Sequence, residues 1–70
     1  MTHATQTLHV APRGRIRLVA VDRDAHLESL EQDFWLEDDA RAYVVDHADD
    51  RPWILFYLYD DQGRELDGRR

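Results

Sequence analysis

The sequence has 70 residues with no cysteine and no lysine, and with only two prolines and three glycines. Without cysteine the chain forms no disulfide and offers no thiolate as a metal ligand or nucleophile. No stretch approaches the ~20 consecutive apolar residues of a membrane helix, and the N-terminus lacks the basic and apolar regions of a signal peptide. We therefore expect a cytoplasmic protein that does not interact with membranes.

Residues that usually carry catalysis or hold cofactors are sparse. The single serine, Ser29, has no neighbouring base in the sequence, and the glycines do not form a phosphate-binding loop. The four histidines show no pair at zinc-ligand spacing. We expect no enzymatic activity, no metal and no cofactor. The least favoured alternative is a carboxylate-based metal-dependent enzyme with His26 or His47 as base, because so short a chain offers little concavity to exclude water.

The net charge of −6 is unevenly distributed along the chain. Residues 1–21 carry +3, residues 22–61 carry −10, and residues 62–70 carry +1. Such a chain repels phosphates over most of its surface, so we expect no direct binding to nucleic acids. A basic protein surface is a better candidate partner, although the requirements of solubility explain the same charge.

The length of the chain allows one domain, and a chain of this size buries only roughly 60% of the surface exposed in its unfolded form. We expect a single domain over residues 7–66, with flexible ends at residues 1–6 and 67–70. Near the start, Leu8 and Val10 alternate with polar residues, which favours a short strand.

The next two segments differ in how clearly their pattern can be interpreted. Residues 15–21 alternate between apolar and other side chains and predict a strand. Residues 24–35 fit either a helix with Asp24 as its N-cap or a strand. A turn through residues 23–26 would continue the preceding strand into a hairpin, so we prefer the strand.

Residues 37–48 have the pattern of a helix, with three carboxylates in the first turn, where they complement the positive end of the helix dipole. Pro52 prevents the helix from continuing. The side chains with helical spacing predict the core-facing side: Leu36, Ala40, Tyr43, Val44 and His47.

The last part of the chain reads as an aromatic hairpin. Residues 53–59 contain no charge and are rich in β-branched and aromatic side chains, which are typical of a strand. Residues 60–63 form a turn signal, and residues 64–66 can return as a short strand. The predicted fold class is therefore α+β: a small antiparallel sheet of four to five strands with one main helix packed on one face.

A single helix covers only one face of such a sheet, and residues 53–59 are apolar on both faces. We therefore predict that the uncovered face binds a protein partner, because Trp and Tyr are frequent interface anchors. Self-association into a homodimer is an alternative use of this face. In another interpretation, the aromatics are surface residues covered by arginine side chains. The predicted partner-binding residues are Trp53, Tyr57, Tyr59 and Trp35.

Asp-Asp pairs recur every eleven residues, at 38–39, 49–50 and 60–61. A strand that returns along the helix would bring the third pair back to the end where the first pair lies. Four carboxylates there could bind Mg²⁺ or Ca²⁺, or imitate nucleic-acid phosphates, whereas capping and turn chemistry explains them locally. The predicted acidic patch consists of Asp38, Asp39, Asp60 and Asp61.

These patterns together favour a small acidic, non-enzymatic protein-binding module that acts as a regulator, inhibitor or accessory protein. The alternative function is a nucleic-acid-mimicking inhibitor of a basic protein, such as a phage-type anti-defence protein.

Overall fold

A computed structural model describes residues 8–66, which form three strands and one helix. In chain order these are β1 (Ile16–Asp22), β2 (Glu28–Phe34), α1 (Glu37–Ala48) and β3 (Ile54–Tyr59). The sheet order is β2-β1-β3, and β1 is antiparallel to both neighbours. The fold class is therefore α+β with a three-stranded antiparallel sheet. The ends predicted to be flexible, residues 1–6 and 67–70, lie outside the described part of the chain.

The prediction of four to five strands was wrong, because neither of the two short outer segments builds a ladder. Leu8 and His9 form a short 3₁₀ turn and do not pair with the sheet as a strand. Residues 64–66 form one isolated bridge, between Tyr59 and Glu65, and one further backbone hydrogen bond, from Leu66 N to Leu58 O at 2.9 Å.

The central strand β1 forms where alternation predicted it. Its middle residues Leu18, Val19 and Ala20 are buried, since β1 has a strand on each side and side chains above and below.

The hairpin between β1 and β2 depends on the side chain of Asp22. One of its carboxylate oxygens accepts hydrogen bonds from the backbone N–H groups of Asp24 (2.9 Å) and Ala25 (3.0 Å). His26 then takes a positive φ of 57°, and Asp22 N donates to Leu27 O at 2.9 Å. The turn thus reverses the chain, so the residues that follow it return along β1 as strand β2. Asp24 lies in this turn and does not cap a helix.

Strand β2 contains one residue more than the part of β1 that it faces. The register runs from Leu18 opposite Gln32 to Val19 opposite Leu30, so Glu31 is the extra residue of a β-bulge. The side chain of Glu31 lies on the side of the sheet that α1 covers, where it contacts Tyr43.

The helix α1 has the predicted bounds. Ala40 is fully buried, and Tyr43 and Val44 pack against the core. The placement of Leu36 on the core-facing side was wrong, because this residue is the N-cap, has an extended backbone (φ −122°) and is exposed. Helical spacing does not apply to a residue outside the helix.

The core lies between α1 and one face of the sheet. All three strands and the helix contribute to it, and partly buried apolar residues surround it. Its buried members are Leu18, Phe34, Ala40 and Leu58.

One ionic network ties the bulge to the helix and to the segment before β3. Arg51 donates to both carboxylate oxygens of Glu31, from Nη1 at 2.7 Å and from Nη2 at 3.3 Å, and Tyr43 Oη–H donates to the same carboxylate. The guanidinium also lies 5.5 Å from the ring centre of Phe56. The hydrogen bonds from Arg51, with a smaller effect from Tyr43, lower the pKa of Glu31.

We expect Glu31→Gln to destabilise the fold by about 1–3 kcal/mol at pH 7, because it removes a charge-assisted hydrogen bond at a mostly buried position. The pKa of Glu31 is lower in the folded state than its ordinary value of 4.5, so its contribution is full above that value. The contribution is lost as the pH falls through the folded pKa. Urea unfolding between pH 7 and pH 3 should therefore show a weaker loss of stability on acidification in the variant.

The control for this prediction is Glu37→Gln, which breaks the exposed helical ion pair with Arg41 and should cost less than about 0.5 kcal/mol. Equal stability losses in the two variants would contradict the central role of Glu31.

Candidate functional site

The face of the sheet opposite α1 is called the open face below. Strand alternation places there the side chains that do not point at the helix. From β1 and β3 these are Arg17, Val19, Val21, Leu55, Tyr57 and Tyr59, and from β2 they are Glu28, Leu30 and Asp33.

The centre of the open face is apolar. Val19 lies between Leu30 on β2 and Tyr57 on β3, and it is fully buried. In the next row, Val21 has Leu55 as its neighbour on β3. Leu30 is 48% exposed and Leu55 is 40% exposed, so both present apolar surface to solvent.

A mostly buried ion pair occupies the row on the other side of the centre. Arg17 Nε donates to Asp33 Oδ1 at 2.8 Å and Nη2 donates to Oδ2 at 3.1 Å, so both carboxylate oxygens are used. The hydrogen bonding to Asp33 raises the pKa of Arg17. This row is therefore charge-neutral.

The segment before β1 covers part of the open face near Tyr59. The His9 ring stacks on the Tyr59 ring with a centre-to-centre distance of 4.6 Å, and His9 Nε2 lies 2.7 Å from Glu28 Oε1. Ala11 N donates to Asp60 O at 3.0 Å and so holds the segment in place. Burial beneath this cover, with smaller effects from nearby carboxylates, raises the pKa of Tyr59.

The four predicted partner-binding aromatics are spread along the open face and do not form one cluster. Trp53 lies beside Arg23 at one end and is 51% exposed. Trp35 lies at the other end, where the Arg15 guanidinium stacks 3.8 Å from its ring centre. The eight steps from Arg15 to Arg23 span about 26 Å at 3.3 Å per residue, which separates Trp35 from Trp53. Tyr57 pairs with Val19 and so lies between the two tryptophans.

We call Trp53, Leu55, Tyr57, Val21 and Leu30 the apolar patch. The prediction from sequence omitted Leu30 from this surface. The bulge at Glu31 reverses the alternation along β2, and no residue type in the segment signals a bulge. Leu30 thus lies on the open face, although Phe34, four residues later, lies in the core.

Two members of the predicted acidic patch have local roles. Asp60 accepts hydrogen bonds from Gln62 N (2.8 Å), Arg64 N (2.9 Å) and Arg64 Nε (3.1 Å). The backbone hydrogen bond from Arg64 is the largest cause that lowers the pKa of Asp60. Asp61 Oδ2 accepts from Gly14 N at 2.8 Å and so joins the turn before β1 to the turn after β3.

The other two members, Asp38 and Asp39, are exposed in the first turn of α1. Three further exposed aspartates lie in or just after the helix, and no ion-pair partner for any of the five occurs within residues 8–66. In that same range, no three acidic or histidine side chains come together in a group that could hold a metal ion. We call the five residues the helix aspartates: Asp38, Asp39, Asp46, Asp49 and Asp50.

A groove of about 260 Å³ lies between α1 and the edge strand β3. Its lining is apolar apart from one arginine, whose side chain hydrogen-bonds to Glu37 at the start of the helix. The lining residues are Arg41, Val44, Val45, Phe56 and Leu58.

Comparison with known protein families, with curated proteins and with solved structures finds no match for this chain. Over residues 8–66 no helix is long and apolar enough to cross a membrane.

We expect Asp60→Ala to speed the hydrogen exchange of the Gln62 and Arg64 amides, because both lose their acceptor. Asp60→Asn should retain slow exchange, since its side-chain oxygen can accept the same bonds. Asp38→Ala is the control and should leave both amides unchanged. Unchanged exchange in Asp60→Ala, measured by NMR, would contradict the turn role of Asp60.

Proposed function

We propose that this chain is a small, non-enzymatic protein-binding module that uses the apolar patch to bind another protein in the cytoplasm. It would act as a regulator, an inhibitor or an accessory protein. The observation that carries the proposal is the exposure of Trp53, Leu55 and Leu30 on one face of the sheet.

The apolar patch has no cover within residues 8–66. The helix packs on the opposite face, and His9 reaches only the part of the open face near Tyr59 and Glu28. Adjacent exposed apolar side chains on a small soluble domain mark an interaction site, and Trp and Tyr are typical anchors of such sites.

Charge favours a different protein over a second copy as the occupant. Two copies would bring a net charge of −6 against −6, which disfavours their approach. The apolar patch itself ends at Arg23, and Arg15 lies at the far end of the open face. A partner with an apolar centre and carboxylates at its rim is complementary to this arrangement.

We expect the double variant Trp53→Ala/Tyr57→Ala to bind the partner at least about thirtyfold more weakly, because two interface aromatics are removed. Trp35→Ala is the control, since it removes an exposed tryptophan that lies about 26 Å from Trp53. Affinity purification from the native host uses the wild type, the double variant and Trp35→Ala as baits. It identifies the proteins that the double variant alone fails to capture. The dissociation constants of such a candidate are then measured by calorimetry with purified proteins.

Circular dichroism must show that the double variant remains folded, because Tyr57 also covers Val19. Trp53→Ala alone tests the proposal should the double variant unfold. A purified partner that binds the aromatic variants as tightly as the wild type would contradict the proposal. Sedimentation tests for a dimer. If a concentration-dependent dimer forms and only these variants abolish it, the apolar patch binds a second copy of the chain instead of another protein.

The helix aspartates support a second candidate function, nucleic-acid mimicry toward a basic protein. From Asp38 to Asp50 they extend over about 18 Å at 1.5 Å per residue, and all are exposed. Since Asp60 and Asp61 are engaged in turns, mimicry would use the helix surface instead of the predicted acidic patch.

Neutralising four helix aspartates separates the two candidates: Asp38→Asn, Asp39→Asn, Asp49→Asn and Asp50→Asn in one chain. If the apolar patch binds the partner, we expect less than about a threefold change in the dissociation constant at 150 mM salt. Mimicry requires a large loss, a steep salt dependence and competition by DNA or RNA. Measuring the same purified pair by calorimetry at two salt concentrations distinguishes these outcomes.

A further inference from the structure

We propose that His9 makes the open face sensitive to pH. A protonated His9 neutralises Glu28, the carboxylate beside the apolar patch, and thereby favours an acidic partner. A neutral His9 leaves the charge of Glu28 in place and disfavours that partner. The inference rests on the proposed function, because it concerns the partner of the same face. It describes that partner as an acidic protein surface that binds more tightly as the pH falls from 8 to 6.

Glu28 is the carboxylate of the open face that no arginine neutralises. It lies two residues before Leu30 on the same face of β2, so it borders the apolar patch. In the described part of the chain its only ion-pair partner is His9. The other carboxylate of this face, Asp33, is bound by Arg17 at both oxygens. The charge next to the apolar patch therefore depends on His9.

The His9 ring lies across the centre of the open face. It stacks on Tyr59 of β3 with an interplanar angle of 12°, and its Nε2 lies 2.7 Å from a carboxylate oxygen of Glu28 on β2. Strand β1 runs between these two strands. Tyr59 and Glu28 belong to rows on either side of Val19, so the line between them crosses β1 at this fully buried residue. A partner on the apolar patch therefore lies next to the imidazole.

Backbone contacts outside the ring fix the position of His9. Two residues later, Ala11 is buried, and its N–H donates to Asp60 O at 3.0 Å. Gly63 has a positive φ of 81°, and a Cβ there would lie 3.2 Å from Val10 Cγ2 and 3.7 Å from His9 O. The turn after β3 thus packs closely against this segment. The fold itself, and not only the ion pair, holds the imidazole over the sheet.

Histidine is the side chain that ordinarily changes charge between pH 5 and 8, whereas carboxylates stay ionised over most of this range. Burial, with smaller effects from Glu65 and Glu28, raises the pKa of Tyr59, so this ring stays neutral beneath His9. The helix lies on the other side of the sheet. The charged and titratable groups on the elements that His9 packs against are Glu28 and Asp33 from β2, Arg17 from β1, Tyr57 and Tyr59 from β3, and Asp60 and Glu65 after β3.

The ends of the open face favour the same partner chemistry. Arg23 lies beside Trp53 at one end, and Arg15 stacks on Trp35 at the other. Both arginines attract carboxylates, and Glu28 between them repels carboxylates until His9 is protonated. An acidic partner therefore gains from protonation of His9, whereas a basic partner loses.

The first test measures the charge of the face without any partner. Two small nitroxides, one with a carboxylate and one with a trimethylammonium group, are added separately to the full chain at low ionic strength. NMR records the proton relaxation that each causes at Val21 and Leu30, and the ratio of the anionic to the cationic effect reports the local charge. In the wild type we expect this ratio to rise at least about twofold from pH 8 to pH 6, because one positive charge appears nearby.

Three variants assign this rise to the His9–Glu28 pair. His9→Gln should keep the ratio at the wild-type pH 8 value, since glutamine stays neutral. The double variant His9→Gln/Glu28→Gln should keep it near the wild-type pH 6 value at both pH values, because neither position is charged. His26→Asn is the control and should retain most of the rise. It removes an exposed histidine at a positive φ of 57°, which asparagine tolerates.

A constant ratio in the wild type, or an equal rise in His9→Gln, would overturn the proposal. The nitroxides report charge whether or not a protein binds, so this failure would leave the proposed function intact. Failure of the proposed function would instead appear as unchanged partner binding by Trp53→Ala. With a purified partner, calorimetry should show at least about threefold tighter binding to the wild type at pH 6 than at pH 8, and no such difference for His9→Gln. Weaker binding at pH 6 would overturn the proposal as well.

Discussion

The hydrogen-bonded ion pair between Glu31 and Arg51, with Tyr43 as a second donor, connects β2 to α1 and to the segment before β3. Glu31 is the bulged residue of β2, Tyr43 lies on α1, and Arg51 precedes β3 and lies near Phe56. The bulge that brings this carboxylate beneath the helix also turns Leu30 to the opposite face. The interaction that holds the helix to the sheet and the exposure of the apolar patch therefore have the same origin.

One helix on a three-stranded sheet leaves two kinds of surface unsatisfied. The open face exposes apolar side chains to solvent, and β3 lies at the edge of the sheet. Charge is separated in the same way, with five exposed aspartates in or just after the helix and arginines at the ends of the open face. The proposed function assigns to the open face a partner that is apolar at its centre and acidic at its rim.

Local signals explain which parts of the fold could be predicted from the sequence. The helix bounds follow from the acidic first turn and from Pro52, and the hairpin into β2 follows from turn chemistry at Asp22. The bulge at Glu31, and with it the place of Leu30, has no local signal, since it depends on pairing with β1. Likewise, the stacking of His9 on Tyr59 is a contact between residues fifty apart, which no pattern within one segment reveals.

The most direct measurement of the central claim is hydroxyl-radical footprinting of the two tryptophans in the free chain and in its complex with a purified partner. Both are well exposed in the free chain, so both should be oxidised readily. The account predicts strong protection of Trp53 in the complex and little change at Trp35. Unchanged oxidation of Trp53 in a complex that has formed would contradict binding through the apolar patch.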